Sequence, residues 1–208
     1  MSQVHIVLLG DSIFDNAAYV PDELPVVEQL REVLPERSGA TLLATDGVVT
    51  TKVSQQLAGM PPDATHLVVS VGGNDALCSQ DILLQPPRDM ARGLASLFLG
   101  FRERYAAMLD RVCGLGKPVA VCTVYDKLPG RTDVERMALA LFNDAIIREA
   151  VRRGLPIVDL RHVCTKTEDY ASMSPIEPSA IGGMKIVKVI RDMVFAHDFE
   201  SKRTAMYA

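Results

Sequence analysis

The stretch Val4-His-Ile-Val-Leu-Leu-Gly-Asp-Ser-Ile-Phe-Asp-Asn16 decides the fold of this chain. Its apolar run, Val4 to Leu9, has the length of a buried strand and no amphipathic alternation, which is typical of a strand inside a parallel sheet. Gly10, Asp11 and Ser12 then break the run where such a strand leaves its sheet. Open α/β sheets place ligands at these carboxyl ends, so we interpret Ser12 as a candidate nucleophile.

Size and charge limit the classes of function. The chain has 208 residues, 48% hydrophobic and 23% charged, which suits a single domain over 1–208 with a polar tail from about residue 198 that is expected to fray. The formal net charge of −4 provides no broad basic field, so neither nucleic acid nor an anionic membrane is an expected partner. No apolar run has membrane-spanning length and no removable leader is recognisable, so we expect a cytoplasmic protein.

The cysteines do not indicate a metal site. They are widely separated and lack the paired short spacing of a zinc site, and a cytoplasmic location disfavours disulfides. We therefore expect all four to be reduced and to serve mainly as small buried hydrophobes: Cys78, Cys113, Cys122 and Cys164.

Strand and helix signals alternate along the rest of the chain. The pattern predicts further strands over 40–45, 65–71, 118–124 and 156–160. It predicts helices over 21–34, 48–57, 133–153 and 179–196, and a long helix after Pro86-Pro87 whose apolar stripe, from Met90 through Leu94 and Leu97 to Val112, is interpreted as core. This order favours a three-layer α/β/α sandwich around a mostly parallel five-stranded sheet.

Two segments resemble sequence blocks of a known enzyme family. Residues 10–16, GDSIFDN, are similar to the first block of the SGNH or GDSL hydrolases, which are serine esterases and lipases of flavodoxin-like fold, and residues 71–75, VGGND, resemble the third block. Ser12, Gly47 and Asn74 match the S, G and N of the family pattern in order and in place on the strands. The resemblance implies strand order 2-1-3-4-5 and cleavage of ester bonds.

Ester cleavage by a serine needs a nucleophile, donors for the developing oxyanion and a base. Ser12 supplies the hydroxyl and its own backbone N–H, Gly47 leaves its N–H uncovered, and the Asn74 amide can donate to the same oxygen. One such donor contributes roughly 3 to 4 kcal/mol of transition-state stabilisation. Gly47 and Asn74 also have structural interpretations, as a turn glycine and as a cap of the next segment.

The fourth position departs from the family pattern. The usual last block resembles Asp-x-x-His-Pro followed by small residues and a glycine pair, whereas this chain has Ser174-Pro-Ile-Glu177-Pro178-Ser-Ala-Ile-Gly182-Gly183. Glu177 thus takes the place of the histidine base, and Ser174 that of its orienting aspartate. Burial can raise the pKa of a carboxyl, but a helix start favours its ionised form. Glu177 is therefore either an atypical base or a carboxylate that caps a helix.

Four histidines are present, and one of them is a candidate substitute base. His5 and His66 lie near the starts of strands, opposite the expected site, and His197 follows the last helix. His162 follows the fifth predicted strand on the side of the site. We keep His162 as the alternative base, beside the interpretation that it is a solvated loop histidine.

Further polar residues at strand ends are candidates for the substrate pocket. Tyr125, Asp126 and Arg161 follow the fourth and fifth strands, and Arg161 could bind a substrate carboxylate. Asp11 and Asp75 are expected either to brace turns or to contact substrate.

The leading hypothesis is a serine hydrolase of small-molecule carboxylic esters that needs no metal and no cofactor. An alternative is a binding module with the hydrolase fold, which holds an ester, acyl or sugar ligand without turnover. A third, a flavodoxin-like nucleotide or phosphate binder, is disfavoured because Asp11 and Asp15 would repel phosphate and no phosphate-loop lysine follows.

Overall fold

The computed structural model describes residues 3–208. One six-stranded sheet runs through it in the order β2-β1-β3-β4-β5-β6, with every neighbouring pair parallel. The strands are β1 (His5–Gly10), β2 (Gly39–Leu42), β3 (His66–Ser70), β4 (Val119–Cys122), β5 (Ile157–Val158) and β6 (Met206–Tyr207). The helices are α1 (Val26–Val33), α2 (Val53–Gln56), α3 (Gly73–Leu77), α4 (Pro87–Cys113), α5 (Asp133–Arg153), α6 (Leu160–Val163) and α7 (Ala180–Ala196).

Both faces of β1 are buried, which explains why its sequence shows no alternation. Ile6 and Leu8 point into a core shared with α1 and α7, whereas Val7 and Leu9 point into a second core shared with α4 and α5. Helices thus cover the sheet on both sides. The predicted three-layer α/β/α sandwich is confirmed, and the first five strands have the implied order 2-1-3-4-5.

Helix α5 shows how local sequence sets the ends of an element. Thr132 and Glu135 form a reciprocal capping box, in which each side chain accepts from the other's backbone N–H. Gly154 follows the last helical residue as the C-cap, has φ +64° and lies so close to the C-terminal segment that a Cβ there would be 2.1 Å from the Lys202 carbonyl oxygen. The observed span equals the predicted one.

The C-terminal segment differs from its prediction. Instead of fraying, it forms β6 at the edge of the sheet beside β5. Ile157 donates its N–H to the Ala205 carbonyl at 2.9 Å, and Asp159 donates to the Tyr207 carbonyl at 2.8 Å. These contacts satisfy edge groups of β5 that would otherwise lack a protein partner, and so the sheet has six strands rather than five.

None of the helices within residues 3–208 is both long enough and apolar enough to cross a membrane. The cytoplasmic location stays a prediction. All four cysteines are free, as predicted, but only Cys122 and Cys164 are buried, while Cys78 is exposed.

Candidate active site

A strained turn after β1 places Ser12 at the carboxyl end of the sheet. Gly10 has φ +124°, and a Cβ at this position would lie only 1.8 Å from the Ser70 carbonyl oxygen, so no other residue fits. The same carbonyl accepts the Asp11 N–H at 3.1 Å, which ties the turn to the end of β3. Ser12 is 7% exposed and is one of the residues that line a cavity.

The structure brings Ser12 and Glu177 together from opposite ends of the chain. The Ser12 hydroxyl donates to Glu177 with 3.2 Å between Oγ and Oε1. Glu177 itself is only 3% exposed, and within residues 3–208 its second oxygen, Oε2, is buried without a hydrogen-bond partner. The arrangement is that of a hydroxyl and a proton acceptor, with no histidine between them.

The segment that carries Glu177 is fixed by hydrogen bonds on both sides. The Tyr125 hydroxyl donates to the Ile176 carbonyl, and the Asn16 amide donates to the Pro178 carbonyl at 3.0 Å. The N-cap of α7 is Ser179, whose hydroxyl accepts from the Gly182 N–H at 3.2 Å. A serine therefore provides the cap that the sequence allowed Glu177 to provide.

The environment of Glu177 favours its protonated form. Burial raises the pKa of this carboxyl above its ordinary value. The hydroxyls of Ser174 and Ser12 oppose the rise, and the negative charge of Asp46 adds to it. The net upward shift makes Glu177 a stronger base than an exposed glutamate.

Three donor groups lie at the ends of β1, β2 and β3. Within the described chain, the backbone N–H groups of Ser12 and Gly47 donate to no protein acceptor. Gly47 has φ +76°, a Cβ there would have no atom within 4 Å, and the residue itself is not part of the cavity lining. Asp15 steadies this turn by accepting the Asp46 N–H at 2.9 Å. Asn74, in the first turn of α3, lines the cavity.

Asp11 and Asp75 occupy different surroundings. Asp75 Oδ2 accepts both the backbone N–H and the hydroxyl of Thr50 at 2.9 Å, and the side chain does not line the cavity. Asp11 does line it, is 3% exposed and accepts one hydrogen bond, from the Ile13 N–H at 3.2 Å. Burial raises the pKa of Asp11 from 3.8 to about 7.

Of the candidate site residues after β4 and β5, two line the cavity and two do not. Tyr125 and Asp126 line the cavity, and Asp126 Oδ1 is buried without a partner in the described residues. Arg161 instead forms a two-pronged ion pair with Asp159, with 2.7 Å from Nε to Oδ1 and from one terminal nitrogen to Oδ2. His162 has a side chain 72% exposed, 4.0 Å from Asp159. Neither Arg161 nor His162 contributes to the cavity lining.

The other histidines are held by contacts away from the cavity. His5 contacts Asp63 and Thr41, both at 2.8 Å, and His66 contacts Thr65 at 2.8 Å. His197 lies 3.1 Å from the Tyr207 hydroxyl. Burial lowers the pKa of His66 and of His197.

A cavity of about 110 Å³ extends from Ser12 between α4 and α5. Its lining is mostly apolar, and part of it comes from a short 3₁₀ segment, Gln80–Leu84. The apolar residues that form its walls include Ile82, Leu94, Leu97, Leu139 and Phe142. Such a space suits an apolar group of a small ligand.

Sequence reasoning assigned Leu94 and Leu97 to the core and overlooked this cavity. The first buried residue of α4 is Phe101, because the N-terminal half of the helix projects beyond the sheet. The lengths of the helix and of the strands could have indicated this cavity. A helix of 27 residues is about 40 Å long, whereas a strand of five residues covers about 17 Å, so one end of α4 must overhang.

Comparisons with known proteins identify the family and the fold of the chain. The sequence model of the GDSL-like Lipase/Acylhydrolase family matches residues 8–182. None of the curated proteins matches the chain in sequence. Among solved structures, the lipase Lip_vut3 from a goat rumen metagenome superposes with a TM-score of 0.72 at 18% identity, covering 91% of this chain and 96% of that one.

Two further structures have the same fold. A lipase/acylhydrolase from Enterococcus faecalis has a TM-score of 0.64 at 21% identity, covering 91% of this chain and 96% of its own. The W215I variant of Axe2, an acetyl xylan esterase from Geobacillus stearothermophilus, has a TM-score of 0.64 at 17% identity, covering 91% and 93%.

Proposed function

Because the chain belongs to the GDSL-like lipase/acylhydrolase family, we propose that it hydrolyses carboxylic esters with Ser12 as the nucleophile and Glu177 as the base. One observation carries the proposal: the Ser12 hydroxyl donates to a buried carboxylate, Glu177, at 3.2 Å. A base within hydrogen-bond distance of the hydroxyl is the geometric requirement for proton removal during attack.

The reaction begins with attack of Ser12 Oγ on the ester carbonyl carbon. As the new C–O bond forms, Glu177 Oε1 takes the hydroxyl proton. The raised pKa of Glu177 brings its proton affinity closer to that of a histidine, which partly compensates for the missing imidazole.

The carbonyl oxygen becomes an oxyanion between three donors. The free N–H groups of Ser12 and Gly47 and one amide hydrogen of Asn74 supply these hydrogen bonds. Because the donors are fixed before the reaction, they stabilise the developing charge without reorganising. Ester hydrolysis in this site needs no metal and no cofactor in our scheme.

The cavity favours esters of apolar acids. A chain that enters from Ser12 meets the side chains of Leu97, Leu139 and Phe142, and burying each methylene contributes about 0.8 kcal/mol. We therefore propose short to medium acyl chains as the substrate class. Asp126, with its unpartnered Oδ1 in the lining, is placed to accept a hydrogen bond from a polar group of the substrate.

The proposal is tested by turnover and by labelling of the serine. Wild-type protein should hydrolyse 4-nitrophenyl butyrate and should bind a fluorophosphonate covalently at the peptide that contains Ser12, as read by mass spectrometry. Ser12→Ala should lose both properties while keeping its unfolding temperature. Binding of butyrate without turnover and without labelling would instead establish the binding-module alternative.

A further inference from the structure

The chain buries six carboxyl groups within residues 3–208, and four of them are compensated. Glu149 contacts three arginines, Asp159 is paired with Arg161, and Asp169 is paired with Lys185. Asp75 accepts two hydrogen bonds from Thr50 and lies 4.0 Å from Arg104. Buried charges are normally paired in this way, because removing an unpaired ion from water is costly.

The two exceptions are the carboxyl groups beside Ser12. Glu177 and Asp11 form no ion pair in the described part of the chain. Glu177 accepts from the Ser12 hydroxyl and has the Ser174 hydroxyl beside it, and Asp11 accepts from the Ile13 N–H. Asp11 Oδ2 accepts no hydrogen bond from the described residues and, unlike Glu177 Oε2, is not fully shielded from solvent, and Asp11 lines the cavity together with Ser12. Asp11 lines the cavity and Glu177 contacts Ser12, and buried carboxyls without a cationic partner at such a place are candidates for a functional role.

The surroundings of Asp11 raise its pKa to about 7, so that a large fraction of this carboxyl holds its proton near neutral pH. Burial is the main cause, the Ile13 N–H opposes it, and the carboxylates of Asp75, Glu177 and Asp46 add to it from three other segments. The remaining titratable groups coupled to Asp11 are the Cys122 thiol on β4 and the hydroxyls of Tyr105 on α4 and Tyr125 after β4. Acid–base catalysis needs one group that gives a proton and one that accepts it, and two carboxyls in one site can share these roles.

We propose that Asp11, in its protonated form, is a second catalytic residue that protonates the departing alcohol, while Glu177 deprotonates Ser12. This inference rests on the proposed function. It assigns to two carboxyl groups the two proton transfers that a single histidine performs when a histidine is present.

The protons balance over one cycle. In acylation, Ser12 gives its proton to Glu177 as Oγ bonds to the carbonyl carbon, and the alcohol oxygen takes the proton of Asp11 as its bond to that carbon breaks. In deacylation, water gives a proton to ionised Asp11 as it attacks the acyl carbon, and Ser12 Oγ recovers its proton from Glu177 as the acyl bond breaks. Both carboxyls return to their starting states, and ester plus water have become acid plus alcohol.

The test compares two leaving groups on one acyl chain. Nitrophenolate departs from 4-nitrophenyl butyrate without protonation, whereas ethyl butyrate must release a protonated alcohol. In Asp11→Asn, kcat/KM should therefore fall about 10² to 10⁴-fold for the ethyl ester. The fold-loss for the nitrophenyl ester should be at least ten times smaller. The nitrophenyl ester should also give a burst of one nitrophenol per enzyme, because deacylation has lost its base.

A control variant and a pH profile of the wild-type protein distinguish a catalytic role of Asp11 from a general effect on the fold. Asp169→Asn, which changes a compensated buried carboxyl, should affect both esters by one factor. In wild-type protein, kcat/KM for ethyl butyrate should decline above pH 7, while kcat/KM for the nitrophenyl ester should not. This measurement needs no variant and therefore tests the proposal even where Asp11→Asn fails to fold. If Asp11→Asn lost equal activity on both esters while hydrolysis still depended on Ser12, only the role of Asp11 would be overturned. If no hydrolysis depended on Ser12, both the role of Asp11 and the proposed function would be overturned.

Discussion

The Asn74 side chain donates a hydrogen bond to the backbone carbonyl of Val48, with 3.0 Å between Nδ2 and the oxygen. This bond uses one of the two amide hydrogens and fixes the direction of the other. It also joins the turn after β2, which carries Gly47, to the start of α3. Two of the three donor groups are thus held at a fixed separation by a single contact.

Loss of that amide should slow catalysis far more than it weakens the fold. For Asn74→Ala we expect kcat to fall about 10² to 10³-fold, because one oxyanion donor is removed. The unfolding temperature should fall by only about 2 to 4 °C, since the variant loses one hydrogen bond of a half-buried side chain, about 1 kcal/mol. Steady-state kinetics on 4-nitrophenyl butyrate check the first point and calorimetry the second. A loss smaller than threefold would show that Asn74 does not contact the oxyanion.

Gly47 can be compared with a glycine of similar geometry far from the cavity. Gly47 and Gly116 have φ of +76° and +66°, and a Cβ at either site would have no atom within 4 Å. Gly47→Ala and Gly116→Ala should each lose about 1 kcal/mol of stability through backbone strain. Only Gly47→Ala should also lose activity, by at least about tenfold, because its methyl lies beside the donor N–H. Equal activity in the two variants would exclude Gly47 from the oxyanion site.

The cavity between α4 and α5 should determine the preferred acyl chain. In wild-type protein, kcat/KM should rise about fourfold for each methylene added to an acetate ester until the cavity is full. Ala138 lines this space, so Ala138→Phe should fill it and make acetate the best substrate. Met137→Phe on the same helix, at a residue 57% exposed, should leave the preference unchanged. A preference that does not move in Ala138→Phe would mean that the acyl group binds elsewhere.

The charge of Asp11 should cost stability at high pH. Its pKa is about 7 in the folded protein against an ordinary 3.8, so the folded state binds the proton more tightly and loses stability as pH rises from about 4 to 7. Asp11→Asn should therefore be more stable than wild type at pH 8.5, by at most about 4 kcal/mol, and should lose this advantage at pH 4. Urea unfolding at the two pH values measures the difference.

In the same urea experiment, Asp169→Asn should change the stability in the opposite direction at pH 8.5. Burial alone would raise the pKa of Asp169, but Lys185 and two backbone N–H groups lower it below its ordinary value. Its stabilising contribution is present above pH 4 and disappears as the pH falls further. The variant should thus be less stable than wild type at pH 8.5. If Asp11→Asn resembled Asp169→Asn, the carboxyl of Asp11 would be compensated after all.

The fold could be predicted to the extent that local sequence determines it. The run Val4 to Leu9 requires burial on both faces, and Gly10 is the only residue that the turn above Ser70 accepts. Strand β6 could not be predicted, because Met206–Tyr207 is too short for a pattern and is held mainly by backbone bonds to the β5 edge.

The sequence could predict which residues meet at the site, but not which of the buried carboxyl groups have a cationic partner. Strand ends and the matching blocks placed Ser12 and Glu177 on the same side of the sheet, and the structure brings them together. Whether a buried carboxyl is compensated depends on which cations reach it in three dimensions. Arg161 binds Asp159 rather than facing the cavity, and no such partner reaches Asp11 within residues 3–208.

The pH dependence of kcat/KM on 4-nitrophenyl butyrate, for wild type and Glu177→Gln, tests most directly whether Glu177 is the base. A catalytic Glu177 predicts a wild-type acid limb that reports one carboxyl, with a midpoint above the ordinary 4.5 because burial raises its pKa. It also predicts a loss of at least about 100-fold in Glu177→Gln, with the fold intact. A Glu177→Gln variant that keeps the wild-type rate and the same acid limb would contradict the assignment.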